Sequence, residues 1–542
     1  MSGAVSNDKL AAGILTSAGA SVVTAVVLAF ALGGLNSMLA WAALTAGCAG
    51  GAWVFYRTDS RILNRPNAWD VLLFALFAIA SLRAFLWLIY PVGDEWRILS
   101  PYNLGDISLH IQFIRYFAGG VDFWPASPIL TGVPLSYPLG ADLWNSLLLL
   151  IGVPLERGLI WTALAGAGLT AWALWRWGGA FAMAALLFNG GMAGFAILRT
   201  WQLQDFQSEL AWKNIFLTMI VTQRGLLYAL PCGLLLLRAW RDDFFRDGSG
   251  LPRSVQFFLY ATMPFFSVHA FLFLSLALAA IFIFTPRGRI PLVLFVALAV
   301  VPATAAVWLV TGGFSAASGL RWLPGWMQGA DGWKFWAMNF GVSLPLLVWL
   351  FWKCAWRGDA ESRSFVLLSL AVFLLCFLVA FAPWEWDNTK LLIWAWLVAA
   401  PFLWARVLEP LSPILRYSLC AALFFSGGVS LLAGLDGRHG YELAKRSELA
   451  AAAKALQDVP AGTRIAVDPQ FNHPVILLGY PVVCGYDGHL WSHGLRYQEP
   501  LAKLRSVLRK DAAWRNTAKE LGAEWIYFRG QTPVIEKVDE SR

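Results

Sequence analysis

The stretch YNLGDISLH sets Asp106 and His110 four residues apart, on one face of any helix that forms there. A carboxylate in that position can take the proton of an attacking hydroxyl, and an imidazole one turn on can orient it or donate to an anion. Both belong to a longer polar run, YPVGDEWRILSPYNLGDISLHIQFIRYFAGGVDFWPASP, which also holds Asp94, Glu95, Arg115 and Asp122. A helix N-cap would explain Asp106, and a solvated loop start would explain Asp94 and Glu95. The clustering argues for more, because ionisable groups beside a bilayer are costly without a partner or a task.

Three further segments carry chemistry. VTQRGLLYALP places Gln223 and Arg224 inside an apolar stretch, where a guanidinium must meet a loop carboxylate or a phosphate. FFSVHAFLF puts His269 at a break between two short apolar stretches, as a packed, hydrogen-bonded residue or a weaker phosphate contact. FAPWEWDNTKLLIW crowds Glu385, Asp387 and Lys390 together; an interfacial aromatic belt accounts for Trp384 and Trp386 but not for these charges. Asp387, Lys390 and Trp386 are therefore candidate substrate contacts. In the tail, FNHPVILLGYPVVCGYDGHLWSHGLRY carries His473, Asp487, His489 and His493, a spacing that suits a metal or a tight loop equally well. No nucleophile elbow, P-loop or dinucleotide fingerprint occurs.

The elements that must position these residues are set by composition. The 542 residues are 58% hydrophobic and only 14% charged, against roughly 25% charged in soluble domains. Apolar runs of about 20 residues recur as far as residue 434, which defines a polytopic α-helical membrane protein. The run from Ala11 to Leu35 is long and is followed at once by another, so it reads as a retained anchor rather than a cleaved signal. Six scattered cysteines give neither a disulfide framework nor paired zinc spacing. The net charge of +8 does not indicate nucleic acid, because the arginines fall where cytoplasmic loops would retain them.

With a cytoplasmic N-terminus, about thirteen spans fit, near 12–34, 38–56, 68–91, 158–175, 178–198, 214–237, 255–268, 269–285, 290–311, 336–353, 364–382, 388–406 and 416–434. The inner loops then hold Arg57, Arg61 and Arg65; Arg176; Arg238, Arg241, Arg246 and Arg253; Arg287 and Arg289; Lys353, Arg357 and Arg363; Arg406 and Arg416. All six histidines, the large loop at 92–140 and the tail fall to the outer side. Nucleotides are scarce there, so a substrate activated inside and carried across on a lipid is the natural energy source. Beyond residue 434, YELAKRSELAAAAKALQDV reads as helix, GTRIAVD and GAEWIYF as strands, and LAKLRSVLRK and AAWRNTAKEL as amphipathic helices. Residues 435–542 are thus expected to form a small α/β domain outside the membrane, and residues 1–434 the transmembrane domain.

In this order, the acidic pair, GDISLH…F…GG.DFWPASP…G.PLSYPLGADL, TQRGLLYALP, SVHAFL and WEWDNTK resemble bacterial members of the glycosyltransferase C (GT-C) superfamily, over nearly the whole chain. The tail resembles that of uncharacterised members. The resemblance implies an enzyme of the cytoplasmic membrane that moves a sugar from a polyprenyl-phosphate donor to an extracytoplasmic glycan, lipid or protein acceptor, usually with inversion. It also implies a first-loop acid as base, for which Asp106, Asp94 and Glu95 are the matching candidates. About three spans precede that loop here where the common pattern has one.

The mechanism expected has Asp106 as base, with His110 orienting it or donating to phosphate. Gln223, Arg224, His269, Lys390, Asp387 and Trp386 would contact the substrate. A divalent cation held by Asp94, Glu95 or Asp387 is compatible with carboxylate chemistry, but the sequence does not require one. Two other classes fit the same spans: a lipid-carrier flippase or transporter, in which buried charges mark a path, and a non-catalytic subunit of a glycan-assembly complex.

Overall fold

A computed structural model describes residues 8–59, 65–246, 248, 250–285, 288–314, 320–530 and 533–539; Arg61 and Arg287 lie outside them. The chain opens with α1 (Asp8–Leu32) and α2 (Ser37–Arg57), the most closely packed helix pair. Glycines allow that approach: a Cβ on Gly13 would stand 2.9 Å from the Gly51 carbonyl oxygen. α3 (Ala68–Leu86) begins with a reciprocal cap between Asn67 and Asp70. Asp70 also accepts from the Ala180 amide at 3.0 Å. That bond sits just past the break at Gly178–Gly179 in α6 (Leu155–Leu187), where Gly179 takes φ +64°. The two spans expected at 158–175 and 178–198 are thus one interrupted 33-residue helix and a coil.

A hairpin of β1 (Tyr90–Val92) and β2 (Glu95–Ile98) follows α3 and leads into α4 (Leu104–Ala118) and α5 (Gly140–Leu150). After α6 come α7 (Ile197–Thr200), α8 (Leu226–Phe245), α9 (Arg253–Thr262), α10 (Val268–Phe284) and α11 (Arg289–Val310). α12 (Gly332–Asn339) and α13 (Ser343–Arg357) meet at 86°. α14 (Ala360–Cys376), α15 (Thr389–Leu403) and α16 (Pro413–Gly434) complete the bundle, with a short ladder between β3 (Arg321–Trp322) and β4 (Val379–Ala380).

Seven described helical segments are long and apolar enough to cross a membrane, or eight with the bent α12–α13 pair. The other expected spans fall on shorter or more polar elements such as α8, α10 and α14. α11 has the lipid-facing signature most plainly, with Ile290, Leu294, Leu298 and Val301 all exposed.

α1 runs from one end of the bundle to the other. At its start, Asp8 accepts from Arg176 at 2.9 Å and from Arg238 at 3.2 Å, and nearby Glu361 accepts from Arg241 at 2.6 Å. Arg176, Arg238 and Arg241, three of the basic residues expected in inner loops, are therefore gathered at the end where the described chain begins. At the other end of α1, Gly34 packs against Gly120 of the large first loop.

The tail is sewn to that loop. β5 (Tyr441–Lys445) pairs antiparallel with β2, making a sheet of order β1–β2–β5. The expected helix from Tyr441 thus begins five residues later, as α17 (Arg446–Ala455), because the ladder claims the first residues. β6 (Ile465–Ala466), β7 (Trp525–Phe528) and β8 (Val534–Lys537) form a second sheet, parallel between β6 and β7 and antiparallel between β7 and β8. α18 (Pro474–Leu477), α19 (Asp487–Ser492), α20 (Gln498–Leu508) and α21 (Trp514–Glu520) surround it. Leu456, Val459, Val467, Val475 and Tyr527 are among its own core residues. Arg115 of α4 donates to the Leu477 carbonyl at 3.0 Å and Gln112 to that of Tyr480 at 3.1 Å, so α4 and the tail share a packed boundary.

Candidate functional site

α4 is capped by the position of Asn103, which makes no side-chain capping bond, and Asp106 lies in the first helical turn. Asp106 is therefore not the N-cap. Its carboxylate accepts instead from Gln223 Nε2 at 3.0 Å. Burial pushes the carboxyl above its ordinary value of 3.8, and the opposing pull comes from His110, Lys390 and Arg224.

Gln223 and Arg224 do not lie within a continuous span over 214–237. A π-helical turn at Phe216–Ile220 is followed by non-helical backbone, and α8 starts only at Leu226. Gly225 sits so close to the Phe266 carbonyl that any Cβ there would collide with it. This break aims both side chains at α4. The Arg224 guanidinium is 3% exposed, lies over the Phe85 ring, and donates from Nη2 to the Val221 carbonyl at 3.3 Å. Its Nε and Nη1 are buried with no hydrogen-bond partner among the described residues, although Asp106 and Tyr137 both lie within its electrostatic reach. Orphaned guanidinium N–H groups are costly, and an anion would satisfy them.

His110 faces a residue that the sequence reading passed over. Its Nδ1 stands 2.8 and 3.0 Å from the two carboxylate oxygens of Asp142, in the first turn of α5, and both side chains are buried. The signal was present: GADLWNSLLLL has one charged residue, a carboxylate, in a mostly apolar helix. Tyr137, also unanticipated, lies between the rings of His110 at 6.3 Å and His493 at 5.6 Å. Burial raises its phenol well above the usual range, so it stays a neutral donor.

The turn before α15 supplies the other wall. Asn388 ties it down, donating to the carbonyls of Cys376 and Val379 and accepting from the Phe381 amide. Lys390 donates to Asp387 at 3.0 Å, and both lie within electrostatic reach of Asp106. His269, at the start of α10, makes no hydrogen bond among the described residues; its charged neighbours are Lys390 and Asp387. Trp386 is buried, donating from its indole to the Ala211 carbonyl at 2.9 Å. From the tail, α19 brings His489 against Gly105 and places His493 near Lys390, Asp387 and His110. Burial pulls His489 down to about 3 and lowers His493, so both rings are neutral.

Asp94 and Glu95 are not brought to this cluster. Both are tied into the β1–β2–β5 sheet and its connection to α17. Asp94 accepts from the Ser447 amide at 3.0 Å and from the Ser447 hydroxyl, capping α17, and the hydroxyl bond holds its carboxyl below the ordinary value. Glu95 pairs with Arg97 at 3.6 Å. Of the carboxylates considered for a divalent ion, Asp94, Glu95 or Asp387, the last is engaged by Lys390. Asp487 is exposed while its expected partners His489 and His493 are half-buried. Among the described residues no group of three His, Cys, Asp or Glu could hold a metal, and the six cysteines are free.

The fold and the cluster define a helical protein with membrane-spanning helices and one buried polar centre at the end opposite its paired arginines. No protein-family model matches the chain, and no curated protein matches it. Similar solved structures include that of the Archaeoglobus fulgidus oligosaccharyltransferase tethered to an acceptor peptide containing the NVT sequon, at TM-score 0.42 and 9% identity, over 85% of this chain and 69% of that one. Another is the archaeal oligosaccharyltransferase AglB from Archaeoglobus fulgidus with an inhibitory peptide and a dolichol-phosphate, at TM-score 0.41 and 11% identity, with the same coverage of 85% and 69%.

Proposed function

We propose that this protein is a membrane glycosyltransferase of the GT-C type, transferring a sugar from a polyprenyl-phosphate donor to an acceptor on the outer face of a bacterial cytoplasmic membrane, with inversion. One observation carries the reading: a half-buried carboxylate, Asp106, shares a cluster with a guanidinium whose Nε and Nη1 have no partner among the described residues. That pairing is what a displacement at an anomeric carbon needs. The acceptor hydroxyl gives its proton to Asp106 as its oxygen bonds to the anomeric carbon. The bond from that carbon to the phosphate oxygen breaks, and its electron pair stays on the phosphate. Arg224, with Lys390 and His269 beside it, meets the charge that develops there, and a dry site makes those contacts strong. Gln223 holds the carboxylate in place. His110, fixed by Asp142, orients Asp106 or donates to the phosphate, and Asp387 and Trp386 line the sugar. With the arginine-rich end in the cytoplasm, the cluster and the tail are outside.

The test is to incubate purified protein in nanodiscs with a panel of polyprenyl-phosphate sugars and acceptor glycans. A glycosidic product from at least one donor is expected. Lipid movement across the bilayer without any product would instead identify a carrier.

A further inference from the structure

Beside the Asp106 cluster lies a second cation, Lys213, that the transfer reaction as described above does not use. Lys213 closes the loop that follows α7, and its ammonium rests on two aromatic faces, 5.5 Å from the Tyr102 ring centre and 5.7 Å from that of Trp386. Among the described residues no carboxylate comes within ion-pair distance of it; Asp205 and Glu209 act on it only from further away. Asp205 is already engaged, accepting from the Tyr102 hydroxyl at 2.6 Å and from the Gln207 amide at 2.9 Å. Its task is to aim the tyrosine. The backbone around Lys213 is pinned as well, since Asn189 donates to the Lys213 carbonyl at 2.8 Å and accepts from the Ile215 amide at 2.6 Å. Rigid backbone, oriented rings and a partly desolvated cation without a counter-ion together describe a place prepared for an anion next to a flat apolar face. Burial pulls the ammonium below its ordinary value, a cost that an incoming negative charge would remove.

The two sequence neighbours of this site point the same way. Tyr102 lies four residues before Asp106, and Trp386 is followed by Asp387, so the platform borders the centre on the side of α4 and α15. Arg224 lies eleven residues further along the same stretch of chain, past the π-helical turn, and is assigned to the donor phosphate above.

We propose that Lys213 and Tyr102, backed by the buried Trp386, form an acceptor subsite that takes a pyranose bearing a carboxylate or phosphate group, its anion on the ammonium. This rests on the transferase reading for the word acceptor, but binding itself needs no turnover. The experiment titrates nanodisc-embedded protein, without donor, with methyl glucuronide, glucose 6-phosphate and uncharged methyl glucoside, following tryptophan fluorescence and saturation-transfer NMR. At least one charged sugar is expected to bind about tenfold or more tightly than methyl glucoside. Lys213→Met should abolish that preference and Lys213→Arg should keep it, while Arg224→Gln leaves it intact. The tighter of the two charged probes identifies the anion. Equal affinity for charged and uncharged sugars, no binding of either charged sugar, an unchanged Lys213→Met variant, or a preference lost in Arg224→Gln instead would overturn the proposal. If the charged sugar binds through Lys213 but no donor ever yields product, the subsite stands and the transferase reading falls.

Discussion

Gln223 donates to Asp106 at 3.0 Å across 117 positions of sequence, joining a broken membrane helix to the first turn of a loop helix. The bond exists only because the polypeptide leaves helical geometry between Ile220 and Leu226. A regular helix through 214–237 would have satisfied its own backbone and carried Gln223 and Arg224 around its axis; the break instead puts both polar heads on the Asp106 side.

Gly225 is the position that permits this. Its lack of a side chain lets the break lie against the Phe266 carbonyl. Gly225→Ala is expected to displace Arg224 and reduce turnover at least about tenfold, since small misplacements of positioning groups cost this much or more. A steady-state assay alongside a thermal melt checks it; full activity at a wild-type melting temperature would refute the role given to the break.

The raised pKa of Asp106 has a definite sign in a rate profile. The base works only when deprotonated, so kcat/KM should rise with pH through a value above the ordinary 3.8. Lys390 is one of the cations that hold that value down. Lys390→Met should therefore move the acidic limb to higher pH, and a limb that moves lower or stays fixed would show that the charge of Lys390 does not reach the base.

Asp142 and His110 are a buried pair, and breaking one strands the other. Asp142→Ala is expected to cost about 3 kcal/mol of stability, read as a lowered midpoint of thermal unfolding in detergent. Asp142→Asn keeps the volume and an oxygen to accept from the imidazole, and should spare much of that stability.

Asp94 separates the carboxylates. It caps α17 through Ser447 and contributes nothing to the polar centre. Asp94→Asn should leave kcat within about twofold of wild type, in keeping with a surface position away from the chemistry. A loss as large as that of an Asp106 variant would favour Asp94 as the base.

Much of this was legible in the sequence, and the reasons differ by element. Apolar runs and the placement of arginines express the bilayer directly, so the helical bundle and the gathering of Arg176, Arg238 and Arg241 at one end could be read from composition. Asp106, His110, Arg224 and Lys390 stood out because charge is rare in such a chain. Asp142 carried the same signal of rare charge, but its meaning, like that of Tyr137, comes from a partner on another element. So does that of Asp94: an acidic residue near a candidate base is indistinguishable in sequence from one that caps a helix more than 350 residues away. The strand at Tyr441–Lys445 was hidden because its ladder partner lies in the first loop, beyond the reach of local periodicity.

The most direct test of the account is the Asp106→Asn variant, which keeps shape and hydrogen bonding but removes the base. In nanodiscs it should bind a polyprenyl-phosphate sugar with an affinity close to wild type, because Arg224 is untouched, while transfer to acceptor falls by roughly a hundredfold or more. Transfer at the wild-type rate, or loss of donor binding with transfer per bound donor unchanged, would contradict it.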